Sequence, residues 1–390
     1  MDPQTQFVAD LTITLVGGVL AGWGARKVGL HPILGYIAVG LLVGPFTPGY
    51  VASAANFSIL SELGLIFLLF SIGLEFKVDD IRKLGARPLL LSFVAMGLLA
   101  VAGAVGAIVA GFPHAWTIGL ILLLSSTAIG LALLADAGLA NQPAGRLALT
   151  ILIVQDLIAV VLLVVVDQPS SEMTLIGLLK PLLLTAAFVA LALTLGRFLI
   201  RRLVIGTVHR APEEQQIVIF IGLAMAMAWI AHLFGLSFAF GAFIAGAVVA
   251  ELAESSTVEH IVAPFKNLFV LCFFVAIGST IDPALLVVNW VVVIAFGIAF
   301  AIVRWALWYY FALRSGVASQ AAVLAGIAMI PLGEFNIVLA EAGRKAGRLD
   351  EIELATCVGV TFLSIVLGTL AQPLVMRVMG TRPVAVEPAG

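Results

Sequence analysis

Apolar runs about as long as a lipid bilayer is thick recur along the whole chain. Of the 390 residues, 62% are hydrophobic and 11% are charged, and the mean hydropathy is +1.18. Soluble domains carry roughly 25% charged residues, whereas a helix that crosses a bilayer needs ~20 mainly apolar residues. The chain is therefore predicted to be an all-α, polytopic membrane protein. Its net charge of −2 gives no reason to expect a nucleic-acid partner.

Hydropathy and helix breakers together predict about thirteen transmembrane helices. The second and the ninth are short and rich in glycine, which suits close packing between membrane helices. The thirteen predicted spans together form a transmembrane domain over residues 1–380, which is followed by a tail at 381–390. The predicted spans are 7–25, 31–45, 58–76, 88–111, 115–136, 145–166, 174–200, 214–234, 236–252, 262–280, 284–312, 318–342 and 352–378.

The Lys and Arg residues predict how the chain is oriented. In the thirteen-span arrangement nearly all of them fall in loops or ends on one side, and the other side holds only Lys180, Arg344, Lys345 and Arg348. Because cytoplasmic loops are enriched in positive charge, we expect an N-terminus outside and a cytoplasmic C-terminus. The expected location is the plasma (inner) membrane.

The chain contains an internal repeat with an offset of 205 to 206 residues. The run Gly35 to Val43 (GYIAVGLLV) aligns with Gly241 to Val249 (GAFIAGAVV), and Phe67 to Gly73 (FLLFSIG) aligns with Cys272 to Gly278 (CFFVAIG). Spans 1–6 and 8–13 are the predicted copies, and span 7 is the linker. An odd number of spans precedes the second copy, so the repeats are expected to be inverted, as in many transporters.

Polar interruptions fall at related positions of spans 5 and 12, where a helix is expected to break. Pro removes a backbone donor, and broken membrane helices are tolerated only inside protein or along a cavity. The alternative is two kinked spans whose hydroxyls bond their own backbone. The residues concerned are Ser125, Ser126, Thr127 and Gly130 in span 5, and Pro331, Gly333 and Glu334 in span 12.

Gln155 and Asp156 interrupt the apolar run Leu149 to Val166. A carboxylate at that depth costs several kcal/mol unless it faces protein, water or an ion. Asp156 could bind a proton or a monovalent metal cation, with hydroxyls of Ser125, Ser126 and Thr127 as further oxygen ligands. Gln155 could ligate the cation or hold the broken helix. One titrating carboxylate implies that one proton is exchanged for each cation, so the exchange is electroneutral. The alternative role for Asp156 is a permanent structural ion pair.

Arg304 interrupts the apolar run Val291 to Tyr310 and needs a counter-charge. Glu334 is the first candidate partner and Asp156 the second. A buried Arg keeps its proton, so the pair of Arg304 and Glu334 is expected to be structural.

Seven ordered segments resemble the monovalent cation:proton antiporters of the sodium/hydrogen exchanger superfamily, and most closely their glutathione-gated potassium efflux branch. They extend over nearly the whole chain. The segments are HPILGYIAVGLLVGP (His31 to Pro45), LGLIFLLFSIGLEF (Leu63 to Phe76), SSTAIGLALLAD (Ser125 to Asp136), VQDLIAV (Val154 to Val160), FGAFIAGAVVAE (Phe240 to Glu251), PFKNLFVLCFFVAIG (Pro264 to Gly278) and PLGEFNIVLA (Pro331 to Ala340).

The resemblance implies a homodimer in the lipid bilayer, in which each protomer has a dimerisation domain and a core with two crossing, broken helices. The core moves as an elevator that carries the ion. Asp156 is similar to the ion-binding aspartate of this family. Relatives with two adjacent carboxylates are electrogenic sodium exchangers, so Gln155 favours the potassium-associated, electroneutral group, with Na⁺/H⁺ exchange as the alternative.

Many members of the branch continue into a cytoplasmic nucleotide-binding domain, and this sequence has no glycine fingerprint for one. Regulation by such a domain or subunit is therefore an open expectation. Among other functions, a ligand-gated potassium channel would need a continuous polar path, and an intramembrane aspartyl protease would need a second Asp. The chain is predicted to be a transporter with no cofactor, and not an enzyme.

Overall fold

The structure, a computed structural model, is all-helical over the residues it describes: 2–28, 32–47, 51–75, 86–139, 142–166, 183–194 apart from 186 and 193, 212–252 and 255–379. The chain divides into two compact units. Unit 1 comprises residues 1–24, 32–83 and 170–281, and unit 2 comprises 25–31, 84–169 and 282–390. The predicted tail and most of predicted span 7 lie outside the described residues.

The helices of unit 1 are α1 (Pro3–Lys27), α2 (Pro32–Val43), α3 (Ala54–Glu75), α8 (Glu213–Leu233), α9 (Phe238–Leu252) and α10 (Ser255–Thr280). Of α1, the residues up to Gly24 belong to this unit. The named helices of unit 2 are α4 (Ala86–Val109), α5 (Ala115–Leu122), α6 (Thr127–Asp136), α7 (Pro143–Val166), α11 (Pro283–Val288), α12 (Trp290–Arg314), α13 (Ser319–Ala328), α14 (Glu334–Lys345) and α15 (Glu351–Val378).

Eight helices of the described part are long and apolar enough to cross a membrane, and three shorter helices, including α2 and α9, are also apolar. The protein is thus a multi-pass membrane protein, although the count of thirteen spans stays a prediction. Predicted span 11 is divided, since α11 ends at Val288 and α12 starts at Trp290. Asp282 begins this segment by accepting a hydrogen bond from the backbone N–H of Ala284 at 2.8 Å.

Two glycine crossings bring helices of unit 1 into backbone contact, and they are related by the sequence repeat. A Cβ atom at Gly40 of α2 would overlap α10 at Val275 and Gly278, and one at Gly246 of α9 would overlap α3 at Phe70 and Gly73. Small residues let membrane helices approach in this way. The residues that matched in the sequence alignment thus make matching contacts.

Predicted spans 5 and 12 are each two short helices with a non-helical link. Residues 123–126 separate α5 from α6, and residues 329–333 separate α13 from α14. Each link leaves a helix C-terminus and a helix N-terminus inside unit 2, with backbone groups that need partners. Both links lie almost entirely out of contact with solvent.

Candidate cation site

Asp156 lies near the middle of α7, opposite the first break. Thr127, the first residue of α6, donates its hydroxyl to Asp156 Oδ2 at 2.8 Å. The Asp156 side chain is partly buried. Through this bond the carboxylate lies beside the N-terminal end of α6, where partial positive charge favours a carboxylate oxygen.

Gln155 forms a hydrogen bond with the non-helical link of the first break. Its side chain is fully buried, and Oε1 accepts a hydrogen bond from the backbone N–H of Ser125 at 2.9 Å. Within the described residues the amide Nε2 has no hydrogen-bond partner. Of the two roles expected for Gln155, the observed contact corresponds to holding the broken helix.

The two breaks touch each other through Ser126 and the link that contains Pro331. The backbone N–H of Ser126 donates to the carbonyl of Pro331 at 2.8 Å, and the Ser126 hydroxyl caps α6 by accepting from Ile129 N–H at 3.3 Å. A Cβ atom at Gly333 would lie 2.9 Å from Ser126 Cα. Glycine at 333 therefore allows the two links to cross at this distance.

Gly130 is not part of the first break, contrary to expectation. Because the N-cap is Ser126, helix α6 has already begun at Thr127, and Gly130 lies one turn inside it. A Cβ atom there would lie 3.0 Å from the carbonyl oxygen of Ala328, at the end of α13. Its small size serves helix packing, while Pro331 and Gly333 do lie in the second link.

Arg304 on α12 joins the ends of α5 and α13. The side chain is fully buried, and its two terminal nitrogens donate to four backbone carbonyls and to the hydroxyl of Ser125. The distances are 2.9 Å to Leu122 O, 3.3 Å to Leu123 O, 3.1 Å to Leu124 O, 3.0 Å to Met329 O and 2.6 Å to Ser125 Oγ.

The expected pair of Arg304 with Glu334 is replaced by these contacts. Carbonyls at a helix C-terminus have no partner within their helix and carry partial negative charge. Two such ends provide the counter-charge that the sequence suggested should come from a carboxylate. Glu334 is the first residue of α14 and is partly exposed.

Asn336 was missed at the sequence level, and it joins α14 to the first break. Its Oδ1 accepts from Gly333 N–H at 2.9 Å, and its Nδ2 donates to the carbonyls of Ile121 at 2.7 Å and Leu124 at 3.4 Å. A polar residue three positions after a helix-opening glycine was an available capping signal. Ser364 of α15 was also missed; its hydroxyl accepts from Leu332 N–H at 2.9 Å.

Two oxygen-bearing side chains that the sequence assigns to a cation site meet beside the first break. Asp156 offers a charged oxygen and Thr127 a hydroxyl oxygen. Oxygen ligands of this kind suit hard monovalent cations. In the described residues no cluster of three or more His, Cys, Asp or Glu side chains could hold a metal ion.

Comparison with known families gives a match to the sodium/hydrogen exchanger, transmembrane, family over residues 11–377. The chain belongs to the sodium/hydrogen exchanger family. It is 30% identical over 375 residues to the putative cation/proton antiporter YbaL of Escherichia coli (strain K12), which covers 92% of this chain and 67% of that protein.

Two further relatives carry potassium in their names. The chain is 32% identical over 332 residues to K(+) efflux antiporter 1, chloroplastic, of Arabidopsis thaliana, covering 80% of this chain and 27% of that one. It is 30% identical over 376 residues to the putative K(+) efflux antiporter KefB of Alkalimonas amylolytica, covering 91% and 56%. The chain thus spans between about a quarter and two thirds of the length of these exchanger-family relatives.

The fold of this exchanger-family chain is similar to a solved structure, the sodium proton antiporter MjNhaP1 from Methanocaldococcus jannaschii. The TM-score is 0.72 at 16% sequence identity, with 97% of this chain and 99% of the other covered. The likeness supports an all-α antiporter fold.

Proposed function

We propose that this protein exchanges a monovalent cation, K⁺ in preference to Na⁺, for a proton across a membrane. The observation that carries the proposal is the Asp156 carboxylate, which lies mid-helix in α7 and accepts the Thr127 hydroxyl at the N-terminus of broken helix α6. A carboxylate at membrane depth has a functional role by default.

Competition at Asp156 is sufficient for exchange. The carboxylate binds either a proton or a cation, so loading from one side displaces the other ligand. Arg304 does not share this task, because its terminal nitrogens are already bonded to helix-end carbonyls and Ser125. Both loaded forms of Asp156 are neutral, so one cation moves for each proton and the cycle carries no net charge.

Unit 2 contains both broken helices and Asp156, so we propose that it is the moving body of an elevator in a homodimer. Potassium as the cargo is supported by relatives named as K(+) efflux antiporters and by the neutral amide of Gln155 beside Asp156. Regulation through a nucleotide-binding domain or subunit, and an inner-membrane location with a cytoplasmic C-terminus, belong to the same proposal.

Exchange in proteoliposomes tests it. An imposed K⁺ gradient should move protons in the wild type at a rate that does not depend on membrane voltage. Asp156→Asn, which can neither hold a proton nor balance a cation, should abolish this movement, whereas the same carboxylate-to-amide change at the end of α6, Asp136→Asn, should preserve it. Voltage-dependent current through Asp156→Asn would instead identify a channel, and a stronger response to Na⁺ than to K⁺ would overturn the choice of cargo.

Thr127 gives a finer test of the binding geometry. Thr127→Ala removes the hydroxyl bonded to Asp156 and should weaken apparent cation affinity about tenfold, the equivalent of one good hydrogen bond. Thr127→Ser keeps the hydroxyl and is the matched control. Equal apparent cation affinities of Thr127→Ala and Thr127→Ser would show that the Thr127 hydroxyl does not contribute to cation binding.

A further inference from the structure

The long helix α15 bonds to the first broken helix near both of its ends. At the start of α15 the Glu353 carboxylate is fully buried and accepts two hydrogen bonds from His114, the N-cap residue of α5. They come from the backbone N–H at 2.9 Å and from ring nitrogen Nδ1 at 2.7 Å. Further along α15, the side-chain amide of Gln372 donates to the carbonyl of Leu133, in the last turn of α6, at 2.5 Å. One continuous helix thus contacts both halves of the interrupted span.

The contacts have the same spacing on both partners. Glu353 and Gln372 are 19 residues apart, and so are His114 and Leu133. The segment of α15 is helical throughout, so it measures roughly 28 Å at 1.5 Å per residue. The partner segment contains the non-helical link at residues 123–126, whose length is not set by helix geometry. Helix α15 therefore provides a fixed length against which the two halves are held.

Between these contacts α15 packs against the second break. The Ser364 hydroxyl accepts from Leu332 N–H at 2.9 Å, and a Cβ atom at Gly368 would lie 2.6 Å from Pro331 Cγ. Ser364, Gly368 and Gln372 follow one another at four-residue steps, so they lie on one face of the helix. Gln372 therefore attaches α6 to a part of unit 2 that lies outside the first broken helix.

The second polar atom of Gln372 argues against a role in stability alone. The side chain is 2% exposed, and within the part of the chain that the structure describes its Oε1 has no hydrogen-bond partner. A buried polar atom without a partner destabilises a protein, which offsets the bond that Nε2 makes to Leu133. Methionine, which is unbranched, apolar and of similar length, would fill the same position without that cost.

We propose that α15 positions the cation site by holding both ends of the first broken helix, with Gln372 and Glu353 as the positioning residues. This role rests on the proposed function. Helix α6 has ten residues and begins at Thr127, so it is a single hydrogen-bonded unit roughly 15 Å long. The bond at Leu133 therefore holds the Thr127 hydroxyl at 2.8 Å from Asp156 Oδ2. At the other end, Glu353 fixes the start of α5, which leads into the link.

Exchange in proteoliposomes and thermal unfolding test Gln372 together. Gln372→Met should raise the half-saturating K⁺ concentration about fivefold, half the loss expected for the Thr127 hydroxyl itself. The maximal rate should stay near that of the wild type, because only the geometry of a ligand is changed. The unfolding temperature should shift by less than about 2 °C, since the lost bond and the lost unpaired oxygen offset each other.

Ser364→Ala is the matched control, because it removes a buried bond from the same face of α15 that does not reach α6. It should lower the unfolding temperature and leave the half-saturating K⁺ concentration nearly unchanged. An equal rise in this concentration in Ser364→Ala and Gln372→Met would mean that any loosening of α15 suffices, and would overturn the assignment of Gln372.

A double variant shows whether Gln372 acts through Thr127. Adding Gln372→Met to Thr127→Ala should raise the half-saturating K⁺ concentration no further, because the hydroxyl that Gln372 positions is already absent. Residues that act independently would instead show effects that multiply. Multiplied effects would therefore overturn the proposal.

The contact with α5 is tested by two substitutions of His114 that differ in bonding. His114→Leu removes the Nδ1 donor and leaves the backbone bond to Glu353, so the half-saturating K⁺ concentration should rise about threefold. His114→Asn keeps an amide donor near the position of Nδ1 and should restore the behaviour of the wild type. Equal K⁺ dependence of His114→Leu and the wild type would overturn the role of this contact.

The outcomes separate this proposal from the proposed function. A wild type that does not exchange K⁺ for protons would overturn both. A wild type that exchanges K⁺, together with a Gln372→Met variant of unchanged K⁺ dependence, would overturn the positioning role alone.

Discussion

The two helix breaks of unit 2 are built alike but carry different chemistry. In each, a side chain from the next long helix accepts a backbone N–H of the link: Gln155 of α7 bonds Ser125 N–H, and Ser364 of α15 bonds Leu332 N–H. The residue after Gln155 is Asp156, whereas the residue after Ser364 is Ile365, which is 2% exposed. At the first break a carboxylate therefore follows the side chain that bonds the link, whereas at the second break the carboxylate, Glu334, is the first residue of the half-helix α14.

The buried cationic residue, Arg304, lies on the helix that packs against the second break, and the corresponding position near the first break is apolar. Gly119 of α5 packs against Ala100 of α4, and Gly326 of α13 packs against Trp305 of α12, so Arg304 corresponds to Leu99. Leu99 is fully buried and apolar. One backbone arrangement therefore occurs twice in unit 2, with the carboxylate of Asp156 beside the first break and the guanidinium of Arg304 on the helix that packs against the second. This asymmetry yields a single titrating group at the proposed site.

The N-termini of the second half-helices show why the two copies cannot be identical. At the first break the N-cap side chain of Ser126 accepts from Ile129 N–H. At the second, Gly333 has no side chain, and Asn336 at the third helical position accepts from Gly333 N–H instead. Because Gly333 crosses Ser126 closely, a capping side chain fits on one of the two links only.

The largest loss of stability is expected when Arg304 is replaced by leucine, the residue at the corresponding position 99. Arg304→Leu removes five hydrogen bonds, and at ~0.6 kcal/mol for each bond in a membrane interior it should destabilise the protein by about 3 kcal/mol. Thermal unfolding in detergent measures this, with Arg304→Lys as the graded control that keeps the charge and part of the bonding. Unchanged melting with altered ion preference would show that Arg304 belongs to the ion site and not to the scaffold.

The sequence was sufficient to locate Asp156 and both broken helices, because a carboxylate, consecutive hydroxyls and a proline are costly in an apolar span and therefore conspicuous. It was not sufficient to find the partners of Arg304. Backbone carbonyls are present at every residue, so nothing in the sequence distinguishes those at a helix end. The error at Gly130 had a different cause: the position of the break is set by the cap at Ser126, which helix-start rules could have identified.

Asn336 is the next test of the comparison, since it joins the second break to the first. Asn336→Ala should cost about 1–2 kcal/mol, because it removes three hydrogen bonds at ~0.6 kcal/mol each. Asn289→Ala is the matched control, as Asn289 begins α12 without a side-chain capping bond. Thermal unfolding that is equally affected in the two variants would show that the Asn336 contacts contribute nothing to holding the breaks together.

The smallest stability change, and the sharpest separation of the two breaks, is expected from their capping side chains. Gln155→Leu and Ser364→Ala each free one buried N–H, so each should cost about 1 kcal/mol in thermal unfolding. Their effects on exchange should differ, because a shift of the first link moves Thr127 relative to Asp156, whereas Ser364 is followed by an apolar residue.

Apparent K⁺ affinity in proteoliposomes should therefore fall in Gln155→Leu and change little in Ser364→Ala. Gln155→Glu keeps an acceptor for Ser125 N–H but adds a second carboxylate beside Asp156, so it should preserve folding and make exchange sensitive to membrane voltage. If Ser364→Ala lowered K⁺ affinity as much as Gln155→Leu, the two breaks would contribute equally to the site. The functional asymmetry inferred from Asp156 and Ile365 would then be wrong.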